Sequence, residues 1–170
     1  MLVDGVGAIL NNMHFILLFC AKYLVMIVAL VAAGYWLTLD KSHKLRLAVY
    51  GVITAVSAYA LAKVGSKLFY DPRPFVSGHV TALYHHAADN GFPSDHTLLA
   101  AAVAIAIYSS SKRLGLSLMA LAVIVGASRV IGHIHHAADI AGSIVFAIAG
   151  SLVAYYLTPR ILKHLSTRSS

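Results

Sequence analysis

Five apolar runs, each about as long as a membrane-crossing helix, fill most of this chain and push its polar residues to their ends. A helix needs about 20 mostly apolar residues to cross the hydrocarbon core of a bilayer. The runs are His14–Leu39, Leu45–Phe69, Pro93–Ser111, Leu114–Ile131 and Ala137–Leu157. They predict an all-α, integral-membrane bundle of five transmembrane helices, forming one domain over residues 1–170. Residues 1–13 are too short, and carry too many Gly and Asn residues, to span; an interfacial helix is expected there.

Composition agrees. Of 170 residues, 59% are hydrophobic and only 11% charged, against about 25% charged in soluble domains. The net charge of +7 is not spread as a nucleic-acid surface would be. There is no Glu, and four of the six Asp residues (Asp71, Asp89, Asp95 and Asp139) lie in or beside polar segments. Cys20 is alone in an apolar run, so it forms no disulfide within the chain and reads as buried packing. Met1 to Met13 lacks a basic region, so no cleavable signal peptide is expected.

Basic residues mark the cytoplasmic face of membrane proteins. Lys41, Lys44 and Arg46 follow the first run, Lys112 and Arg113 the third, and Arg160, Lys163 and Arg168 the fifth. With five crossings all three groups share one face, predicted to be cytoplasmic. The 70–92 loop and the 131–137 turn then face outward. Arg73, His96, Arg129, His135 and Asp139 meet at that outer face.

Those residues lie in three clusters. The third holds Ser128-Arg129 and then His135 and Asp139. With a helix starting near His135, that residue and Asp139 share a face. A carboxylate on one imidazole nitrogen fixes the tautomer and frees the other nitrogen as a nucleophile. Arg129 can fork onto phosphate oxygens. An interfacial salt bridge between Arg129 and Asp139 is the plainer alternative.

The second cluster is Pro93-Ser94-Asp95-His96, a helix-start signal with Pro expected at the first helical position. Free N–H groups at a helix start bind anions, and simple capping by Ser94 or Asp95 is compatible with that. His96 is the better functional candidate. In the first cluster, prolines hold Arg73 on an extended segment.

Together the clusters resemble the type 2 phosphatidic acid phosphatase superfamily of integral-membrane lipid phosphatases, whose signature is K-x6-R-P, P-S-G-H and S-R-x5-H-x3-D. The third part matches through Ser128, Arg129, His135 and Asp139. In the second, Asp95 replaces Gly. In the first, Arg73-Pro74 fits, but Ser66 stands where the family has Lys, and Lys67 is one residue late. The match spans residues 67–139. Small size, Pro72-Arg73-Pro74-Phe75, His86-Ala-Ala-Asp89 and Pro-Ser-Asp95-His resemble the bacitracin-resistance type of undecaprenyl-diphosphate phosphatase.

The resemblance implies residue roles. His135 becomes the nucleophile forming a phosphohistidine, and Asp139 orients it. Arg73, Arg129, Ser94 and Lys67 bind the substrate phosphate, and His96 is the acid for the leaving group. Asp95, His86 and Asp89 are expected around this set. No metal and no cofactor are implied. The partner is a polyprenyl diphosphate lipid in a bacterial inner membrane, with the site facing the periplasm or the extracellular side. The runner-up is the same chemistry on phosphatidylglycerophosphate or phosphatidic acid.

A metal-binding or proton-coupled transport protein is the reading from another class, with His133, His135 and Asp139 as ligands. Arg73 and Arg129 would repel such an ion. Lys22 and Lys63 lie within the first two runs, where they either steer an anionic head group or snorkel. His79, His85, His86 and Asp89 line the long outer loop, expected to be a lid, a supporting layer or a solvated loop. Ala100–Ala106 predicts close helix packing.

Overall fold

The computed structural model describes residues 2–78 and 80–167, with side chains from Leu10 onward; His79 and Arg168 lie outside the described residues. Among the described residues seven helices follow in order: α1 Leu2–Lys22, α2 Leu24–Thr38, α3 Lys41–Leu68, α4 Pro74–Ser77, α5 Asp95–Tyr108, α6 Lys112–Ile131 and α7 Ala137–Thr167. No strand occurs among the described residues; one isolated antiparallel bridge joins Pro72 to Asn90.

Three helices, α3, α6 and α7, are long and apolar enough to cross a membrane. The pair α1–α2 is bent by 52° at Tyr23 and counts as a fourth if taken as one broken span. These spans make the chain a multi-pass membrane protein. α5 is apolar but has only 14 residues.

The N-terminal expectation needs correction. No boundary separates an interfacial helix at residue 13 from a span at His14, because α1 continues to Lys22 and the break falls at Tyr23. The fifth run also extends past Leu157, with Pro159 inside α7. α3 starts at Lys41 because Asp40 caps it, its carboxylate accepting from the backbone N–H of Ser42 at 3.0 Å and of His43 at 3.2 Å.

α5 is the hub of the bundle. It packs on α6, α7, α3 and α2, and Ala100, Ala101 and Ala104 are completely buried. Small side chains let helix backbones approach closely where lipid supplies no hydrophobic drive. The α3–α7 seam uses the same device: a Cβ on Gly150 would lie 2.6 Å from the Thr54 carbonyl oxygen and 2.7 Å from the Ala58 nitrogen. Large apolar side chains such as Val52, Val56, Ile148 and Leu152 point outward, toward lipid. Tyr23, Trp36, Tyr155 and Tyr156 are exposed, as border aromatics should be. Cys20 is half-buried rather than fully buried.

One end of the bundle collects the end of α3, the start of α5, the end of α6, the start of α7 and the α1–α2 break. The Arg129 side chain, near the end of α6, donates to the carbonyl of Ala21 at 2.9 Å and so ties that break to the others. At the opposite end Tyr35 meets Ser110 at 3.0 Å, and Trp36 donates to the Lys44 carbonyl at 2.9 Å.

Candidate active site

Gly132 ends α6, and the turn to Ala137 folds back so that the His135 N–H donates to the Arg129 carbonyl at 3.3 Å. His133 carries the bend with a φ of 55°, a left-handed conformation. The turn places His135 just ahead of α7. Its Nδ1 lies 3.0 Å from Asp139 Oδ2, with both side chains buried. The same Oδ2 accepts from the His136 N–H at 2.9 Å.

The other ring nitrogen faces two cations. Arg73 Nη1 and Arg129 Nη2 each lie 3.2 Å from His135 Nε2. A guanidinium can only donate, so Nε2 must accept and the proton sits on Nδ1, facing Asp139. Burial, with the positive charges of Arg129 and Arg73, holds His135 below the ordinary imidazole range, against the opposing pull of Asp139. His135 is therefore a neutral imidazole whose Nε2 lone pair points between two arginines and accepts from them.

Each arginine is held by further acceptors. Arg73 Nε donates to Asp89 Oδ1 at 2.7 Å, and its Nη1 also donates to the Ile134 carbonyl at 3.1 Å. Arg129 Nη1 donates to the Tyr84 hydroxyl at 2.9 Å, while its buried Nε has no partner in the described structure. Arg73 and Arg129 are only 5% and 1% exposed, so a ligand reaches them only through the cavity. Burial of the Asp89 carboxyl is outweighed by Arg73, which lowers its pKa.

That cavity has a volume of about 310 Å³. Its lining includes His135, Arg73, Arg129, His96, Asp95, Asp89 and His86. Burial, then the charges of Arg73 and Arg129, lowers the pKa of His86. Ser94 is fully buried beneath this surface and does not line it. It is the N-cap of α5 without a side-chain capping bond, so Pro93 precedes the cap instead of opening the helix. Ser94 contacts Thr97 and receives the Ser143 hydroxyl on its carbonyl. Lys67 is exposed near the end of α3 and does not line the cavity; Ala62, Lys63 and Ser66 of that helix do.

Sequence reasoning missed a supporting layer. Tyr84 holds Arg129. Asn90 accepts from the Asp71 and Phe92 N–H groups at 3.0 Å and donates to the Ser66 and Phe69 carbonyls. The Asp71 carbonyl accepts from Gly91 at 2.8 Å, and its carboxylate pairs with His136 Nδ1 at 2.9 Å. These bonds fasten the Arg73 segment to the loop before α5 and to the turn before α7. The Arg129–Asp139 salt bridge, the plainer alternative, is not among the ion pairs formed by these side chains.

Among the described residues the ligand-capable groups that cluster are Asp71, His136 and Asp139, within 4.8 Å of one another. This set differs from the His133, His135 and Asp139 set read from spacing. His133 Nδ1 instead lies 3.3 Å from the Thr81 carbonyl. Two guanidiniums at His135 Nε2 make that nitrogen a poor ligand for a cation.

The arrangement is suited to an anion with several oxygens: two buried fork-shaped donors, an imidazole lone pair and, across the cavity, His96. Comparison with known proteins gives a concordant result. The chain is 29% identical over 160 residues to a Bacillus licheniformis protein named "Bacitracin transport permease protein BcrC", covering 94% of this chain and 78% of that one. It is 36% identical over 137 residues to "Undecaprenyl-diphosphatase BcrC" of Bacillus subtilis (strain 168), covering 78% and 68% respectively. No solved structure matches it significantly. The PAP2 superfamily model matches residues 24–163, a stretch that holds every side chain of the cavity, and the chain therefore belongs to the PAP2 superfamily.

Proposed function

We propose that this chain is a lipid diphosphate phosphatase that hydrolyses the terminal phosphate of undecaprenyl diphosphate at the outer face of a bacterial inner membrane, recycling the carrier for cell-wall synthesis. The observation that carries the chemistry is the convergence of Arg73 and Arg129 on His135 Nε2. The name of the Bacillus subtilis relative, an undecaprenyl-diphosphatase, supports the substrate.

Phosphoryl transfer needs in-line positioning and positive charge on the equatorial oxygens. In the proposed first step the His135 lone pair attacks the terminal phosphorus. The bond to the bridging oxygen breaks, and undecaprenyl phosphate leaves with that oxygen. Arg73 and Arg129 turn from Nε2 to the phosphoryl oxygens, where fixed donors act most strongly in a water-poor site. Asp139 stabilises the Nδ1 proton while the ring carries the phosphoryl group. In the second step water attacks the phosphohistidine, with His96 taking its proton, and inorganic phosphate leaves. Where the first-step leaving group is basic enough to need a proton, a protonated His96 supplies it as that group departs, and the neutral His96 so formed takes the proton of the attacking water in the second step; a phosphate leaving group needs that first proton less than an alkoxide.

Five crossings are part of this reading. α5 rises only about 21 Å, but it starts at the site, below the loop that covers the outer end. Lys41, Lys44, Lys112 and Arg113 then lie together on the cytoplasmic side, and α1 leads in along the outer interface before bending at Tyr23.

The test is phosphate release from undecaprenyl diphosphate by purified, detergent-solubilised protein with chelator present, beside His135→Ala. Release that the variant abolishes supports the reading. Release only from phosphatidic acid or phosphatidylglycerophosphate overturns the substrate and keeps the chemistry. Silence on all lipid phosphates from folded protein overturns both.

A further inference from the structure

The cavity holds more wall than one phosphate needs. Its two arginines lie within 3.2 Å of the nucleophilic nitrogen and are committed to the phosphate under attack. Of the two carboxylates in its lining, Asp89 already neutralises Arg73. One further permanent cation lines the cavity, and it is Lys63.

Lys63 lies on α3 roughly 7.5 Å along the axis from Leu68, within the apolar part of the helix. Its neighbours show that it stands at a border. Ala62 and Ser66 line the cavity with it, while Val64 is 57% exposed and Tyr59 53% exposed on the lipid side. The Lys63 ammonium has no carboxylate partner among the described residues. It rests 4.9 Å from the centre of the Tyr59 ring, one turn deeper. A cation–π contact at an exposed site is weak, and a lysine stem is flexible, so the ammonium is free to swing into the cavity. A charge inside the membrane region without a fixed partner needs a use.

We propose that Lys63 binds the lipid-linked phosphate of a diphosphate substrate at the membrane-facing mouth of the cavity, and so sets a preference for diphosphate over monophosphate head groups. In-line attack puts the leaving bridging oxygen on the side of the phosphorus away from His135 Nε2. The second phosphate must lie on that side, and its tail must continue into the bilayer. Lys63 is the cavity cation that meets both the site and the lipid. Ser66, one turn above, offers a hydroxyl now bonded to the Lys63 carbonyl at 3.1 Å. The inference rests on the diphosphatase reading above.

The test compares Lys63→Met and Lys63→Arg with wild type in detergent. It reads kcat and KM for undecaprenyl diphosphate, and the inhibition constant of inorganic phosphate, which reports the terminal-phosphate site alone. Lys63→Met is expected to raise KM at least tenfold, leaving kcat within threefold and phosphate inhibition within twofold. Lys63→Arg is expected to restore KM to within threefold of wild type. Unchanged inhibition by phosphate also shows that the variant is folded. An unchanged KM, a parallel rise in KM and in the phosphate constant, or failure of Arg to rescue would overturn the role of Lys63 and leave the diphosphatase reading standing. Wild-type protein that acts on phosphatidic acid but not on undecaprenyl diphosphate would overturn the reading itself, and the inference with it.

Discussion

His135 Nδ1 and Asp139 Oδ2 are 3.0 Å apart, with neither side chain reaching solvent, and this bond decides which nitrogen of His135 is free. With the proton held on Nδ1, Nε2 turns its lone pair toward the cavity, the position required of the nucleophile in the proposed reaction. Asp139→Asn removes the charge that, in the proposed reaction, stabilises the phosphorylated ring, and it can reverse the tautomer. A loss of roughly 10⁴-fold in kcat accompanies the equivalent change in a hydrolytic triad. The same order is expected here, with KM changed less than threefold, measured by steady-state phosphate release.

The environment of His135 sets a pH dependence. Burial and the two guanidiniums lower its pKa, and in the proposed reaction it is the neutral form that attacks. Activity is therefore lost as pH falls through a value below the ordinary imidazole pKa of about 6.5. Arg129→Gln removes one of the lowering charges, so the acid limb of its kcat/KM profile is expected to move to higher pH, beside a large loss in rate. Comparing variant with wild type on one substrate cancels the titration of the substrate itself. An unmoved limb would show that His135 is not the group being titrated.

Asp89 aims Arg73 through a 2.7 Å bond to Nε, leaving Nη1 for the site. The carboxylate is 60% exposed, and exposed ion pairs contribute about 0.2–1 kcal/mol to stability. Asp89→Asn is expected to lower kcat/KM about tenfold through poorer positioning, with almost no change in melting temperature. Paired kinetic and thermal measurements separate these effects.

Gly150 tests the α3–α7 seam. An added Cβ meets backbone atoms of Thr54 and Ala58, which cannot swing aside as a side chain would. Gly150→Ala is expected to destabilise the protein by about 1–3 kcal/mol, the usual cost of overpacking. Gly34→Ala, whose Cβ meets nothing within 4 Å, serves as the control in thermal melts.

What was legible in the sequence followed from solvent and spacing. Hydropathy located α3, α6 and α7 because lipid-facing helices must be apolar along their length. The spacing from Arg129 through His135 to Asp139 located the dyad because it sits on one turn and the next helix start. The N-terminal break at Tyr23 was not legible: apolar residues run through it, and hydropathy does not register a bend inside an apolar run. Ser94 was expected at the phosphate and lies buried beside Thr97 and Ser143 instead. Tyr84 and the Asp71–His136 pair gave no signal, since their partners are 45 and 65 positions away. Lys63 was visible as an intramembrane lysine, but only the fold shows that it shares a wall with His135.

In the proposed reaction His135 carries the phosphoryl group. The most direct test of this is rapid acid-free quenching of the protein after mixing with undecaprenyl diphosphate labelled in the terminal phosphate. Phosphohistidine is labile to acid and stable to base. A base-stable, acid-labile label on the peptide containing His135, formed within one turnover and absent from His135→Ala, is the predicted result. Phosphate release by His135→Ala at the wild-type rate, without label on the protein, would contradict it.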